Sequence, residues 1–184
     1  MTVDTFSEYL DSLYSQWRMN SFYKDYSRFL KCFDLKSNGH RDSGNSNVYY
    51  HDNFEYPYEV DPEGDFIKFI KDTVESFAIK NVQFAKAWWV DYPQHSYAGM
   101  HCHQPGKQFT AVLFLSTFEI DKHNPHAGFL YTISSKNDNM EYEEYPVIAG
   151  NLHIFDGKIW HGTYPTLQDR KVFVCDFTYE LDGE

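Results

Sequence analysis

The pattern of apolar and polar positions changes character once along this chain. Before about residue 80 the apolar residues recur at helical spacing, and from Val82 onward they alternate with a period of two. The spacing of Phe6, Leu10, Leu13, Tyr14 and Trp17 predicts a helical segment within about Val3 to Leu30. The polar, turn-rich stretch from Lys36 to Asn47 reads as a loop. Asp61-Pro-Glu-Gly-Asp then supplies a turn and a cap for a helix over about Asp65 to Ala78, with Phe66, Phe69, Ile70, Thr73, Val74 and Phe77 as one core-facing stripe. Strands are expected near Val82–Asp91, Gln108–Ser116, Phe129–Ser134, Glu144–Val147, Asn151–Phe155 and Lys171–Glu180, separated by turn clusters such as Pro105-Gly106 and Tyr164-Pro165. The last of these is apolar on both faces, so it should be covered on both. Helices first and short strands afterwards predict a mainly β barrel or sandwich buttressed by N-terminal helices. The reading is one domain over residues 1–184, with 1–80 as helical support and loops and 81–184 as the β core.

Composition sharpens this picture. Aromatic residues make up 19% of the 184, which suits broad packed strand faces. No apolar run approaches the roughly 18 residues of a membrane span, and the opening Met-Thr-Val-Asp-Thr-Phe-Ser-Glu lacks a basic region followed by an apolar one. The expectation is a soluble, cytoplasmic chain without a membrane association. Three cysteines (Cys32, Cys102, Cys175) without a Cys-x-x-Cys pair argue against a disulfide framework. A net charge of −11, spread along the chain, argues against a general nucleic-acid footprint.

The candidate chemistry lies between Ala87 and Arg170. In extended chain, alternate side chains share a face, so His101 and His103 point one way and Cys102 the other. Two imidazoles on one face begin a metal site, and His161 in Ile-Trp-His-Gly-Thr-Tyr-Pro offers a third ligand. Arg170 opens the final strand nine residues beyond His161. The remaining histidines have simpler readings: His95, His123 and His126 fall in loops or at a rim, and nothing assigns His153 a role. Asp156 in Phe-Asp-Gly reads as a turn residue, and Trp160 as packing.

Several motifs then fall in the order of a known family. Trp88 and Tyr92 stand thirteen and nine residues before His101, and His101-x-His103 takes a ligand-pair position. Phe109-Thr-Ala-Val-Leu-Phe-Leu, Ala127-Gly-Phe-Leu, Pro146 and Gly150-Asn-Leu-His-Ile-Phe follow, then His161 and Arg170. In these motifs, over about Val82 to Tyr179, the chain resembles the iron(II)- and 2-oxoglutarate-dependent oxygenases of the prolyl-4-hydroxylase-like branch. Its nearest likeness is to small bacterial and phage members with His-x-His in place of His-x-Asp. The resemblance implies a double-stranded β-helix (a jelly-roll or cupin-like barrel), with Fe(II) on His101, His103 and His161 as the catalytic centre. It also implies 2-oxoglutarate held by Arg170 with Thr110 and Tyr92, and O2 as co-reactant. A guanidinium is a planar two-pronged donor suited to the cosubstrate's far carboxylate. The implied reaction couples 2-oxoglutarate decarboxylation to hydroxylation, with a peptide or protein side chain favoured over a small molecule and nucleic acid disfavoured.

Two departures carry consequences. With His103 in place of Asp, three neutral imidazoles leave the iron one charge more positive, which favours an anionic cosubstrate and weakens the preference for iron over zinc, copper or nickel. Phe114 stands where many prolyl hydroxylases have a tyrosine toward the cosubstrate. Two other readings remain open: a cupin-like metal-binding barrel, with Gln108 where cupins have Glu, and a barrel that has lost catalysis and serves as a binding scaffold.

Overall fold

A computed structural model of the chain describes residues 40–41, 48–51, 65–75, 79–103, 108–115, 118–136, 139–149 and 151–181. The helical segment expected before Leu30 lies outside them, as do Cys32 and the Asp61-Pro-Glu-Gly turn. The described chain runs β1 (His40–Arg41), β2 (Tyr49–His51), α1 (Asp65–Glu75), β3 (Ile79–Tyr92), β4 (Gln108–Phe114), β5 (Leu130–Lys136), β6 (Asn139–Tyr145), β7 (Leu152–Asp156), β8 (Trp160–Thr163) and β9 (Arg170–Leu181). These strands form two antiparallel sheets, one ordered β1-β2-β3-β9-β4-β7 and the other β6-β5-β8.

The larger sheet explains why β9 is apolar on both faces. Register aligns Phe173, Cys175 and Phe177 with Leu113, Ala111 and Phe109 of β4. That row packs with Trp89 of β3 and with Ile67 and Ile70 of α1 in one buried cluster. The opposite row of β9 (Arg170, Val172, Val174, Asp176) aligns with Tyr92, Val90, Trp88 and Lys86 of β3, and its members from Val172 onward align with Phe114, Val112 and Thr110 of β4. This inner row faces the second sheet, and Val90, Val112, Phe114, Val172 and Val174 join Leu130 and Ile159 in a second cluster. Burying that much apolar side chain at roughly 25 cal/mol per Å² is what holds the two sheets together. A register shift between Phe84 and Lys86 matters here, because it resets the alternation. Phe84 then packs on the outer cluster while Lys86 aligns with Asp176.

Several expectations need correction. The strand foreseen at Glu144–Val147 is β6, Asn139–Tyr145, displaced toward the N-terminus. It is an edge strand laden with Glu141, Glu143 and Glu144, and edge strands tolerate charge that hides their alternation. Within the stretch read as a loop, His40–Arg41 pairs with β2 as a short edge strand. The four-residue β8 also lacks a periodic signature, since it holds His161 and Gly162. Of the stripe foreseen on α1, Ile70 is buried with Ile67 beside it, while the Phe66, Phe69, Thr73 and Val74 side chains and Phe77 lie outside the described set. Among the described residues, no helix is long and apolar enough to cross a membrane.

Candidate active site

The three histidines come together through backbone pairing. Residues Ala98 to His103 run beside β8 and are joined to it by an isolated bridge between His101 and His161. Thr163 N–H donates to the Ala98 carbonyl at 3.0 Å, and Ala98 N–H donates to Thr163 Oγ1 at 2.8 Å. His101 and His161 exchange both backbone bonds, at 2.9 and 2.8 Å. Residues paired in that way project side chains to the same face, so the register itself sets the two imidazoles side by side. His103 N–H donates to the carbonyl of Gly157 at 2.9 Å, which ties the segment to the β7–β8 turn.

The ring centroids lie 4.3 Å (His101–His161), 5.1 Å (His103–His161) and 5.5 Å (His101–His103) apart. One ligand atom from each ring falls within 4.8 Å of the other two, the spread expected of donors around one cation. Their outward nitrogens are already committed. His101 Nδ1 lies 2.8 Å from the Gly99 carbonyl and His161 Nδ1 3.0 Å from that of Ile159. A carbonyl only accepts, so each Nδ1 carries the proton and each Nε2 is left as a ligand. His103 Nδ1 instead meets Thr110 Oγ1 at 2.9 Å and Asp176 Oδ1 at 3.1 Å. Burial first, then the neighbouring His101, lowers the His161 pKa to about 3, so that ring is neutral and ready to ligate at ordinary pH.

Arg170 lines the same cavity as the three histidines. It is 3% exposed, with its guanidinium carbon 4.1 Å from the Tyr92 ring centre and 5.8 Å from that of Phe114. Nη1 donates to the Gly128 carbonyl, while Nε and Nη2 have no hydrogen-bond partner among the described residues. Burial lowers the Arg170 pKa and Tyr92 opposes the shift, yet a guanidinium stays charged in any protein setting. A buried cation with two unsatisfied donors is costly unless an anion meets it. Gly128 is required where it stands: its φ is +72°, and a Cβ there would come within 2.8 Å of the Phe118 ring.

The other sequence-based candidates divide. Tyr92 is buried beside Arg170 in the cavity wall. Thr110 is not brought to Arg170: it aligns with Asp176, six residues along β9, about 20 Å away at strand rise, and its hydroxyl donates to Asp176 Oδ1 at 2.8 Å. Cys102 is absent from the ligand group. Asp156 receives Lys158 N–H at 2.9 Å and the Tyr179 hydroxyl at 2.9 Å, which is turn and strand support. Trp160 is 47% exposed. It was expected to pack, but alternation turns it outward once His161 points in. Sequence reasoning missed Asp176 and Lys86, whose meeting depends on a strand register.

No family model matches the chain, and no curated protein does. Solved structures do match. A Pseudomonas putida prolyl-4-hydroxylase is similar with a TM-score of 0.62 at 15% identity, over 85% of this chain and 88% of that one. A Trichoplax adhaerens prolyl hydroxylase, in complex with a hypoxia inducible factor peptide fragment, is similar at 0.60 and 13%, over 95% and 91%. HygX from Streptomyces hygroscopicus, with nickel, 2-oxoglutarate and hygromycin B bound, is similar at 0.63 and 10%, over 87% and 79%. At these identities the likeness is one of fold, and the fold of this chain is the double-stranded β-helix of the prolyl-4-hydroxylase-like 2-oxoglutarate oxygenases.

Proposed function

We propose that the protein is an Fe(II)- and 2-oxoglutarate-dependent dioxygenase that hydroxylates a peptide or protein side chain. The observation that carries this reading is one cavity walled by both a three-imidazole ligand group and a buried guanidinium with two unused donors. The donor set fits the group: His101, His103 and His161 would hold the metal through Nε2, and three protein ligands leave open positions for small-molecule ligands. Arg170 Nε and Nη2 suit the far carboxylate of a dianionic acid, and Tyr92 walls that end. When bound, iron and 2-oxoglutarate supply oxidative chemistry in which O2 is split, 2-oxoglutarate is decarboxylated to succinate and one oxygen atom enters a C–H bond.

The chain's own contribution is binding, orientation and exclusion of water. Val90, Val112, Val172 and Val174 line the cavity with hydrocarbon, which strengthens each charge interaction inside it. His101 and His161 are held by carbonyl acceptors in the tautomer that ligates. A peptide or protein substrate is supported by the prolyl-hydroxylase-like motifs and by the net charge of −11, which disfavours nucleic acid. The fold alone does not choose a substrate.

Anaerobic titration of the protein with Fe(II) and 2-oxoglutarate tests the reading. A weak charge-transfer band near about 520 nm is expected. Metal binding without that band, and without 2-oxoglutarate affinity, would instead favour a cupin-like metal barrel. A screen of peptide, nucleotide and amino-acid pools for succinate release then identifies the substrate class.

A further inference from the structure

Asp176 is 1% exposed and sits within the otherwise apolar run Val172 to Phe177. Carboxylates are almost never buried so fully unless paired, so its partners show what it is for. Oδ1 accepts the Thr110 hydroxyl at 2.8 Å and lies 3.1 Å from His103 Nδ1. Thr110 Oγ1 is itself 2.9 Å from that nitrogen. Among the described residues Oδ2 has no hydrogen-bond donor, and the Lys86 ammonium lies 3.5 Å from it. The Lys86 side chain is largely exposed, so that pairing is screened.

The three imidazoles are therefore supported unequally. His101 and His161 lean on backbone carbonyls, whereas His103 leans on a side-chain carboxyl group. His103 is also the position at which the resembled family more often has a coordinating carboxylate. We propose that Asp176 is the positioning residue for His103: its Oδ1 accepts the hydrogen bond from Nδ1–H, which turns Nε2 toward the metal position and sets a carboxyl group directly behind that ligand. The proposal rests on the three-histidine metal site argued above. Thr110 completes the arrangement by fixing the carboxylate's orientation, and the register shift between Phe84 and Lys86 sets the opposing cation across from it. A carboxylate behind a ligating histidine raises the basicity of that histidine and fixes its ring.

The test uses the full chain and zinc as a redox-silent probe. Asp176→Asn keeps the shape and the Thr110 bond while removing the charge. It should weaken Zn(II) affinity about 10- to 100-fold by calorimetry, with the far-ultraviolet circular dichroism of the apo protein unchanged. In zinc-loaded wild type, imidazole NMR should show His103 protonated at Nδ1 with a downfield proton, and that resonance should move upfield in the variant. A merely structural role for Asp176 would move neither. Affinity within twofold of wild type together with an unmoved resonance overturns the proposal. If the variant fails to fold, the wild-type spectrum decides: Nδ1 protonation of His103 supports the proposal, and Nε2 protonation overturns it. A wild-type protein that binds no zinc shows instead that the metal-site reading itself has failed, and takes this proposal with it.

Discussion

The two faces of β9 use the same backbone for opposite purposes. On the outer face, Phe173, Cys175 and Phe177 lie in hydrocarbon under α1. On the inner face, Val172 and Val174 separate two buried charges, Arg170 at the start and Asp176 six residues on. The outer residues contribute volume and area, and any well-fitting apolar side chain serves there. The inner polar residues have the roles proposed above: Arg170 lines the cavity as the proposed anchor, and Asp176 lies beside His103 as its proposed support. One strand thus fixes the distance between the two ends of the site.

That contrast can be broken from either side. Phe177→Ala on the outer face should cost about 3–5 kcal/mol of unfolding free energy, because the side chain is fully buried and leaves a cavity. Chemical denaturation measures this, and zinc affinity of the folded variant should be unchanged. Arg170→Leu on the inner face should do the reverse. Removing a buried cation with unused donors should leave stability close to that of the parent or raise it. The same change should weaken 2-oxoglutarate binding by more than about 30-fold, in line with the roughly 2–5 kcal/mol lost when a buried charge pair is truncated. Equal loss of metal and 2-oxoglutarate affinity would contradict the division of labour.

His153 sharpens the comparison with a smaller effect. It sits on β7 against the rings of Phe114 and Tyr145, with no partner for Nε2 among the described residues, and burial lowers its pKa to about 4. The unfolded chain therefore binds a proton that the folded chain refuses between about pH 6.5 and 4, so stability is full above that window and falls as pH drops through it. His153→Leu should make that acid decline shallower in unfolding titrations between pH 7 and pH 4.5. An unchanged slope would mean that other groups, His161 among them, account for it.

Most of the β architecture was legible because period-two alternation is a local property. The pair His101 and His103 was legible for the same reason, and Arg170 stood out as a cation opening an apolar strand. What escaped was set by pairing between distant segments. Asp176 lies in a strand that reads as apolar on both faces, and nothing nearby in sequence reveals that Thr110 and Lys86 align with it across two neighbouring strands. Thr110 was expected near the far carboxylate of the cosubstrate because it lies on the right strand, but register carries it to the other end. β8 escaped because four residues with a glycine make no pattern, although its bridge to His101 brings together two of the three ligand-group histidines.

The central claim is that three imidazoles hold one cation in the cavity that Arg170 closes. Anomalous diffraction from crystals loaded with Zn(II) and 2-oxoglutarate tests it most directly. The account predicts a single metal peak about 2.0–2.1 Å from Nε2 of His101, His103 and His161, with the acid's far carboxylate on Arg170 Nε and Nη2. A peak elsewhere, or 2-oxoglutarate absent from Arg170 while the metal is in place, would contradict it.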